Sequence, residues 1–307
     1  MKSLILAAAL AATALPLPAV AMPAPASAAP ATAPSVALHD HIRTTLHGTR
    51  GPLVVLIPGL STPGAVWDET VAALGGTHRL LVVEVRGFEG ARGTANERPG
   101  ALKGIVDDLA KDLGQRRLVP DAIVGHSLGG LVAMRFALDH KLFAKRLLIV
   151  DALPFFGTVF RPDATVENIA VQAQGMRDMM IAGAAMMRAA GANNTTSGSG
   201  AQGMSVNEAT RVTIANWSLD AEPLAVAQLL YEDATTDLRQ AISALALPVT
   251  VLHMANGDHA AAAKKRYATD YAALKGVKLV PVDGSGHFVQ LDKPDLFRME
   301  LAALLAR

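Results

Sequence analysis

The 307-residue chain is long enough for one large α/β domain with an insertion or for two small domains. Hydrophobic residues make up 51% of it and charged residues 18%, which predicts a sizeable core, and a net charge of +1 without a basic run argues against a nucleic-acid partner. Because the sequence has no cysteine, disulfides, thiolate metal sites and a cysteine nucleophile are excluded.

The N-terminal residues have the pattern of an export signal. Lys2 is followed by the apolar run 4–15, which is too short to span a membrane, and Ala19-Val20-Ala21 is an A-x-A cleavage site. Ala26-Ser27-Ala28 fits cleavage as well, and a retained N-terminal anchor is the alternative. We therefore expect a periplasmic or secreted protein without a stable membrane span. The predicted segments are a signal peptide (1–21) and a flexible Ala/Pro-rich linker (22–36).

Beyond the linker, apolar runs alternate with segments of helical spacing. A weak alternation at 39–45 predicts an edge strand. Continuous apolar runs, typical of strands buried on both faces of a parallel sheet, lie at 52–57, 80–85, 122–124, 146–150, 247–252 and 277–282. Helices are predicted at 65–74, 102–118, 131–138, 264–274 and 294–305. This order predicts an α/β fold with a mostly parallel, doubly wound sheet.

The alternation stops between residues 154 and 244. This stretch is rich in Met and Ala and contains no convincing buried strand, while 207–217 and 222–231 have helical patterns. We interpret 154–244 as a helical cap inserted over the carboxyl edge of the sheet, so that the core comprises 37–153 and 245–307.

Gly125-His126-Ser127-Leu128-Gly129 is a G-x-S-x-G sequence between a predicted strand and a predicted helix. In that setting the serine occupies a sharp, strained turn, and the glycines allow strand and helix to approach each other closely. Ser127 is therefore the predicted nucleophile, and the Leu128 amide a donor to an oxyanion. The second donor is predicted to be the Leu60 amide, although Gly59 is equally consistent with a simple Pro-Gly turn.

A serine nucleophile needs a base, and that base is usually a histidine oriented by a carboxylate. His287 follows the last predicted strand in a glycine-rich turn, which favours it over His126, the neighbour of Ser127. The order serine, acid, histidine predicts Asp258 as the carboxylate, because it is the first acidic residue after the strand 247–252. Asp151 is the alternative acid, and Asp270 is less favoured because it lies deeper in a helix.

Several motifs resemble those of the α/β-hydrolase superfamily, in the branch of exported bacterial hydrolases with a helical cap. Pro58-Gly59-Leu60 stands where many members have His-Gly-Gly or His-Gly-x. Arg86-Gly87-Phe88 resembles the Asp-x-Arg-Gly-Phe-Gly turn, with Glu84 in place of Asp. Ser127 matches the nucleophile, and Gly284-Ser285-Gly286-His287-Phe288 matches the histidine motif. The resemblance runs from about residue 52 to the C-terminus and excludes the cap.

These residues together predict an enzyme that needs no metal or cofactor, a serine hydrolase of the esterase type acting on a small or medium apolar ester. Within the fold, a lactonase, thioesterase, cofactor-free haloperoxidase or carbon–carbon hydrolase is an alternative, because the fold does not determine the reaction. A non-catalytic binding protein on a hydrolase scaffold is the alternative from another class. The sequence does not indicate the oligomeric state.

Overall fold

A computed structural model describes residues 34–141, 143–189 and 201–307, and in the segment 187–189 the backbone alone. The predicted signal peptide (1–21) lies outside the described residues. So does the predicted linker (22–36) except for its last three positions.

A sheet of eight strands forms the centre of the described chain, in the order β1-β2-β4-β3-β5-β6-β7-β8. The antiparallel pairs are β1 with β2 and β2 with β4, and the remaining pairs are parallel. The mostly parallel sheet predicted from the apolar runs is therefore confirmed. The strands are β1 (Ser35–Leu38), β2 (Ile42–His47), β3 (Leu53–Ile57), β4 (Arg79–Val85), β5 (Ala122–His126), β6 (Leu147–Val150), β7 (Val249–Met254) and β8 (Lys278–Val282).

Helices cover both faces of this sheet. They are α1 (Asp68–Leu74), α2 (Ala101–Arg116), α3 (Leu128–Asp139), α4 (Val166–Ala189), α5 (Glu208–Asp220), α6 (Pro223–Thr235), α7 (Ala260–Asp270), α8 (Val289–Asp292) and α9 (Pro294–Leu305). Alternate side chains of β3 enter opposite cores: Val55 packs in the cluster that includes α2 and α3, whereas Leu56 packs in the cluster that includes Trp67 and α9. A strand with apolar side chains on both faces reads as a continuous apolar run in the sequence.

The structure differs from the sequence-based expectation at two elements. The single edge strand predicted at 39–45 is a hairpin of β1 and β2 around a turn, because β1 begins at Ser35, inside the predicted linker. The sequence does not predict helix α4 as an element. Its Ala and Met residues are interspersed with Gly and Gln, so its apolar positions have no clear helical period. Both elements pack with one side exposed, and Val171 of α4 is 81% exposed.

Three helices, α4, α5 and α6, lie in the chain between β6 and β7, within the stretch predicted as a cap. Polar contacts join α6 to the start of α2. Glu232 of α6 accepts hydrogen bonds from the backbone N–H groups of Gly100, Ala101 and Leu102 at the start of α2 (2.7, 3.2 and 2.8 Å). Of the helices that the structure describes, none combines the length and the apolar character needed to cross a membrane.

Glu84 of β4 holds the loop that follows β3. Its carboxylate accepts a hydrogen bond from the Gly64 N–H (2.7 Å), where a short 3₁₀ helix, Gly64–Trp67, begins. Burial raises the pKa of Glu84 to about 7, against the lowering effects of the Gly64 N–H and of Arg43. Because the unfolded chain releases this proton near pH 4.5, the folded state holds a proton that the unfolded state lacks between about pH 4.5 and 7.

The free energy of unfolding should therefore decrease as pH rises through that window, and Glu84→Gln should remove this part of the decrease. We expect the variant to gain stability relative to the wild type from pH 4 to pH 8, by up to about 3 kcal/mol. Urea unfolding at several pH values measures the difference, with the exposed Glu69→Gln as the matched control. A gap between Glu84→Gln and wild type that is independent of pH would contradict this assignment.

Candidate active site

The chain turns sharply at Ser127, between the end of β5 and the start of α3. The backbone of this serine has φ 52° and ψ −124°, a conformation that costs free energy for a residue with a Cβ. A Cβ on Gly125 would overlap the carbonyl of Gly129, and a Cβ on Gly129 would overlap the carbonyl of Ile57. The close approach of strand and helix expected from the G-x-S-x-G sequence is therefore present in the structure.

The loop after β3 lies directly against this turn. A Cβ on Gly59 would come within 3.1 Å of the Ser127 Cβ and within 2.9 Å of the His126 Nδ1. The loop is closed by the Thr62 N–H, which donates to the Gly59 carbonyl (3.3 Å), and by the Thr62 hydroxyl, which donates to the Leu60 carbonyl (3.0 Å). Leu60 thus lies beside Ser127, and both line the same cavity.

Leu128 is the first residue of α3, so its N–H belongs to the first turn, whose amides have no partner within the helix. The positive end of the helix dipole lies at this turn, which favours negative charge near Ser127. The two predicted donors, the amides of Leu60 and Leu128, consequently belong to two segments that flank Ser127.

His287 follows β8 in a loop that contacts the segment preceding α5. Its N–H donates to the Gly203 carbonyl (2.9 Å), and the Phe288 N–H donates to the Met204 carbonyl (2.8 Å). A Cβ on Gly286 would lie 2.6 Å from the Met204 carbonyl carbon, so a larger residue would push the two segments apart. The side chain of His287 is 25% exposed and lines the cavity together with Ser127.

Asp151 is the carboxylate that reaches His287. Its Oδ2 lies 2.6 Å from the His287 Nδ1, and its Oδ1 accepts hydrogen bonds from the Tyr267 hydroxyl (2.9 Å) and the Met254 N–H (3.0 Å). The residue comes directly after β6, and its φ of 46° turns the side chain towards the loop after β8. Asp151, the alternative acid of the sequence analysis, therefore occupies the position next to the histidine.

The preference for Asp258 does not agree with the structure. Asp258 lies in a 3₁₀ helix, Gly257–His259, where it is exposed and makes no hydrogen bond or ion pair with any described residue. Asn256 takes the inner position instead: its side-chain amide donates to the Ser285 carbonyl and its Oδ1 accepts from the Ser285 N–H. Gly257, with φ 46°, then directs the chain outwards, which carries Asp258 away from His287.

His126 is buried beneath this site. Its Nε2 lies 3.1 Å from the His287 carbonyl oxygen, which can only accept, so the Nε2 carries the proton. Burial and then the charge of His287 hold the pKa of His126 well below its usual value, which keeps the ring neutral. A neutral ring in this tautomer fixes the backbone of His287 through that hydrogen bond.

Two residues that position the site, Tyr267 and Asp292, are not predicted from the sequence. Burial, and then the charge of Asp151, hold the pKa of Tyr267 well above its usual value, so its hydroxyl keeps the proton that it donates to Asp151. Asp292 joins the His287 loop to the segment before α5, since it accepts from the Gly286 N–H (2.7 Å) and the Ser205 hydroxyl (2.5 Å). Neither residue lies in a motif, and both become recognisable only through contacts between distant segments.

A cavity of about 650 Å³ opens in front of Ser127 and His287. Most of its lining is apolar, contributed by Leu60, Leu153, Phe156, Val159, Ile214 and Leu219 among others. Besides Ser127, Asp151 and His287, its polar lining residues include Ser61, Gln202, Ser218, Asp233 and Arg266. Within the described parts of the chain, no group of three or more His, Asp and Glu side chains is arranged to hold a metal ion.

The family model described as "Alpha/beta hydrolase family" matches residues 54–300 of this chain. The chain belongs to the α/β-hydrolase family. The match includes Ser127, Asp151 and His287 and extends through the helices between β6 and β7.

Individual relatives of this α/β hydrolase match more locally. It is 35% identical over 89 residues to the magnesium-chelatase 30 kDa subunit of Rhodobacter capsulatus, and this match covers 29% of this chain and 31% of the relative. It is 34% identical over 113 residues to the pimeloyl-[acyl-carrier protein] methyl ester esterase of Vibrio atlanticus, and this match covers 37% of this chain and 41% of the relative. This α/β hydrolase thus matches about a third to two fifths of the length of these relatives.

Its fold is similar over almost the whole chain to that of a solved hydrolase from Pseudomonas aeruginosa PA01. The two share 20% sequence identity with a TM-score of 0.69, over 89% of this chain and 98% of the solved one. At this identity, the similarity establishes the fold of the α/β hydrolase alone.

Substituting Asp151 and Asp258 one at a time distinguishes their roles. We expect Asp151→Asn to lower kcat on the order of 10⁴-fold, because an amide that donates to Nδ1 would leave His287 in the wrong tautomer. Asp258→Asn, an exposed change, should alter kcat by no more than about twofold. Steady-state hydrolysis of a chromogenic ester measures both effects, with thermal unfolding as the check on folding. A severe loss in Asp258→Asn together with normal turnover in Asp151→Asn would contradict the geometry.

Proposed function

We propose that this chain is a serine hydrolase that cleaves a carboxylic ester or a related acyl bond through an acyl-enzyme. The observation that carries the proposal is the arrangement around one cavity: a strained Ser127 and a His287 hydrogen-bonded to the buried Asp151. A nucleophile, a base and an acid that orients the base are the groups that acyl transfer by serine requires.

The reaction begins with attack of the Ser127 Oγ on the carbonyl carbon of the substrate, while the Oγ proton passes to the Nε2 of His287. Asp151 stabilises the resulting imidazolium through its 2.6 Å contact with Nδ1. Negative charge develops on the carbonyl oxygen, where the amides of Leu60 and Leu128 donate hydrogen bonds. The tetrahedral intermediate collapses, the C–O bond of the leaving group breaks, and His287 returns its proton to the departing alcohol.

Water then releases the acid. His287 takes a proton from the water as its oxygen attacks the acyl carbon, and the same proton passes to the Ser127 Oγ when the acyl bond breaks. The balance is one ester and one water consumed, and one acid and one alcohol formed. The apolar lining of the cavity supports a small or medium apolar acyl or alcohol group, and the similarity to a methyl ester esterase supports the choice of an ester.

Labelling with a fluorophosphonate, which reacts with an activated serine, tests the proposal. The wild type should be labelled, Ser127→Ala should not, and His287→Ala should be labelled at least about 10³-fold more slowly. Ser218→Ala is the matched control: Ser218 also lines the cavity, and its substitution should leave labelling unchanged. A folded wild type that resists the probe would indicate a binding protein without catalysis, and labelling that persists in Ser127→Ala would contradict the choice of nucleophile.

We further propose that the protein is exported, on the evidence of the charged start, the apolar run 4–15 and the A-x-A sites. Expression of the full chain in a Gram-negative host, followed by fractionation and N-terminal sequencing, measures the location and the cleavage site. We expect mature protein in the periplasm or medium that begins at Met22 or Ala29. Uncleaved chain in the cytoplasm would contradict export.

A further inference from the structure

One carboxyl group in the cavity has no part in the proposed reaction. Asp233 lies on α6, is 6% exposed and lines the same cavity as Ser127 and His287. Among the residues that the structure describes, none donates a hydrogen bond or forms an ion pair to its carboxyl group. Burial of a carboxyl group without a partner is costly, so it is informative when that group opens into a binding cavity.

The position of Asp233 is fixed by its neighbour in the helix. Glu232 accepts three backbone hydrogen bonds at the start of α2, and the Gln228 side chain donates to it as well (2.7 Å). Upstream of α6, the Glu222 N–H donates to the Gly87 carbonyl (2.6 Å). These contacts hold α6 against the start of α2 and the turn after β4, and they fix the place from which Asp233 projects.

Below about pH 7 the carboxyl group of Asp233 is mostly protonated. Burial raises the pKa of Asp233 to about 7, while the charge of His287 acts in the opposite direction. Other titratable or charged groups at the cavity are Asp151, His126, Tyr267 and Arg266, and Arg177 of the adjacent α4 lies over the ring of Tyr231. A protonated carboxyl has one O–H donor besides its acceptor oxygen, which suits an uncharged partner.

We propose that Asp233 determines specificity, by donating a hydrogen bond to a hydroxyl or carbonyl oxygen carried by the acyl or alcohol chain of the substrate away from the scissile bond. This inference rests on the hydrolase function proposed above and narrows its substrate class to oxygen-bearing esters. A plain alkyl chain would leave the carboxyl group unpaired, which a site built for a hydrogen bond penalises. An ammonium group is disfavoured, because Arg266 lines the same cavity and His287 becomes positive during the reaction.

Paired esters test the proposal: p-nitrophenyl hexanoate against its analogues with an oxo group at carbon 3, 4 or 5. For the best analogue, the ratio of kcat/KM to that of the plain ester should fall about three- to tenfold from wild type to Asp233→Leu. Dividing the two ratios cancels the intrinsic reactivity of each ester. Asp233→Asn should retain much of the preference, since an amide also donates, and the exposed Asp220→Leu should leave it unchanged.

A dependence on pH distinguishes hydrogen bonding from packing. As pH rises through about 7, the wild type loses the donor, so its preference for the oxo ester should decline, whereas the preference of Asp233→Asn should stay constant. Equal ratios in wild type and Asp233→Leu would overturn the proposal. So would a preference for 6-aminohexanoyl over hexanoyl esters that depends on Asp233. If Asp233→Leu does not fold, the pH comparison of wild type with Asp233→Asn decides.

Binding to the Ser127→Ala variant separates this inference from the proposed reaction. Calorimetric titration with the same esters, with and without Asp233→Leu, measures recognition without hydrolysis. A protein that hydrolyses none of the esters, yet binds the oxo ester better through Asp233, would refute the reaction and support the recognition. Hydrolysis of both esters, with binding affinities that do not change in Asp233→Leu, would refute the proposed role of Asp233 but not the proposed reaction.

Discussion

The contact between Asp151 and His287 joins two parts of the chain that lie 136 residues apart in sequence. It depends on β6 ending at Val150 and on the positive φ of Asp151, which turns the carboxylate towards the loop after β8. The other carboxylate oxygen of Asp151, Oδ1, accepts hydrogen bonds from the Tyr267 hydroxyl and the Met254 N–H, so the carboxylate cannot rotate without breaking both. A fixed carboxylate in turn fixes the ring of His287 and its tautomer.

The remainder of the site depends on close backbone approach. Gly59, Gly125 and Gly129 bring the loop after β3, strand β5 and helix α3 together around Ser127, where a Cβ on any of them would collide with a neighbour. The segment before α5 and helix α6 are fixed to this framework by carboxylates, through Asp292 and Glu232 respectively. Polar contacts of this kind position the cavity walls more definitely than apolar packing alone, because hydrogen bonds are directional.

The sheet can be predicted from the sequence because its strands are buried on both faces, so each appears as a continuous apolar run. Ser127 and His287 are recognisable as candidates because a strained turn and a close loop approach require glycines next to them. The position of the acid could not be derived, since Asp151 and Asp258 each follow a buried strand, and the choice depends on Gly257 and Asn256 directing the chain. Asp233 has no signal in sequence at all: it is one acidic residue in a helix, and only burial and the cavity distinguish it.

Asp151, rather than Asp258, accepts the hydrogen bond from the Nδ1 of His287. Proton NMR at low temperature measures this directly, because an imidazole proton in a short hydrogen bond to a carboxylate resonates far downfield of the amides. We predict such a resonance in the wild type and in Asp258→Asn, and its loss in Asp151→Asn and His287→Ala. Its loss in Asp258→Asn with persistence in Asp151→Asn would contradict the account.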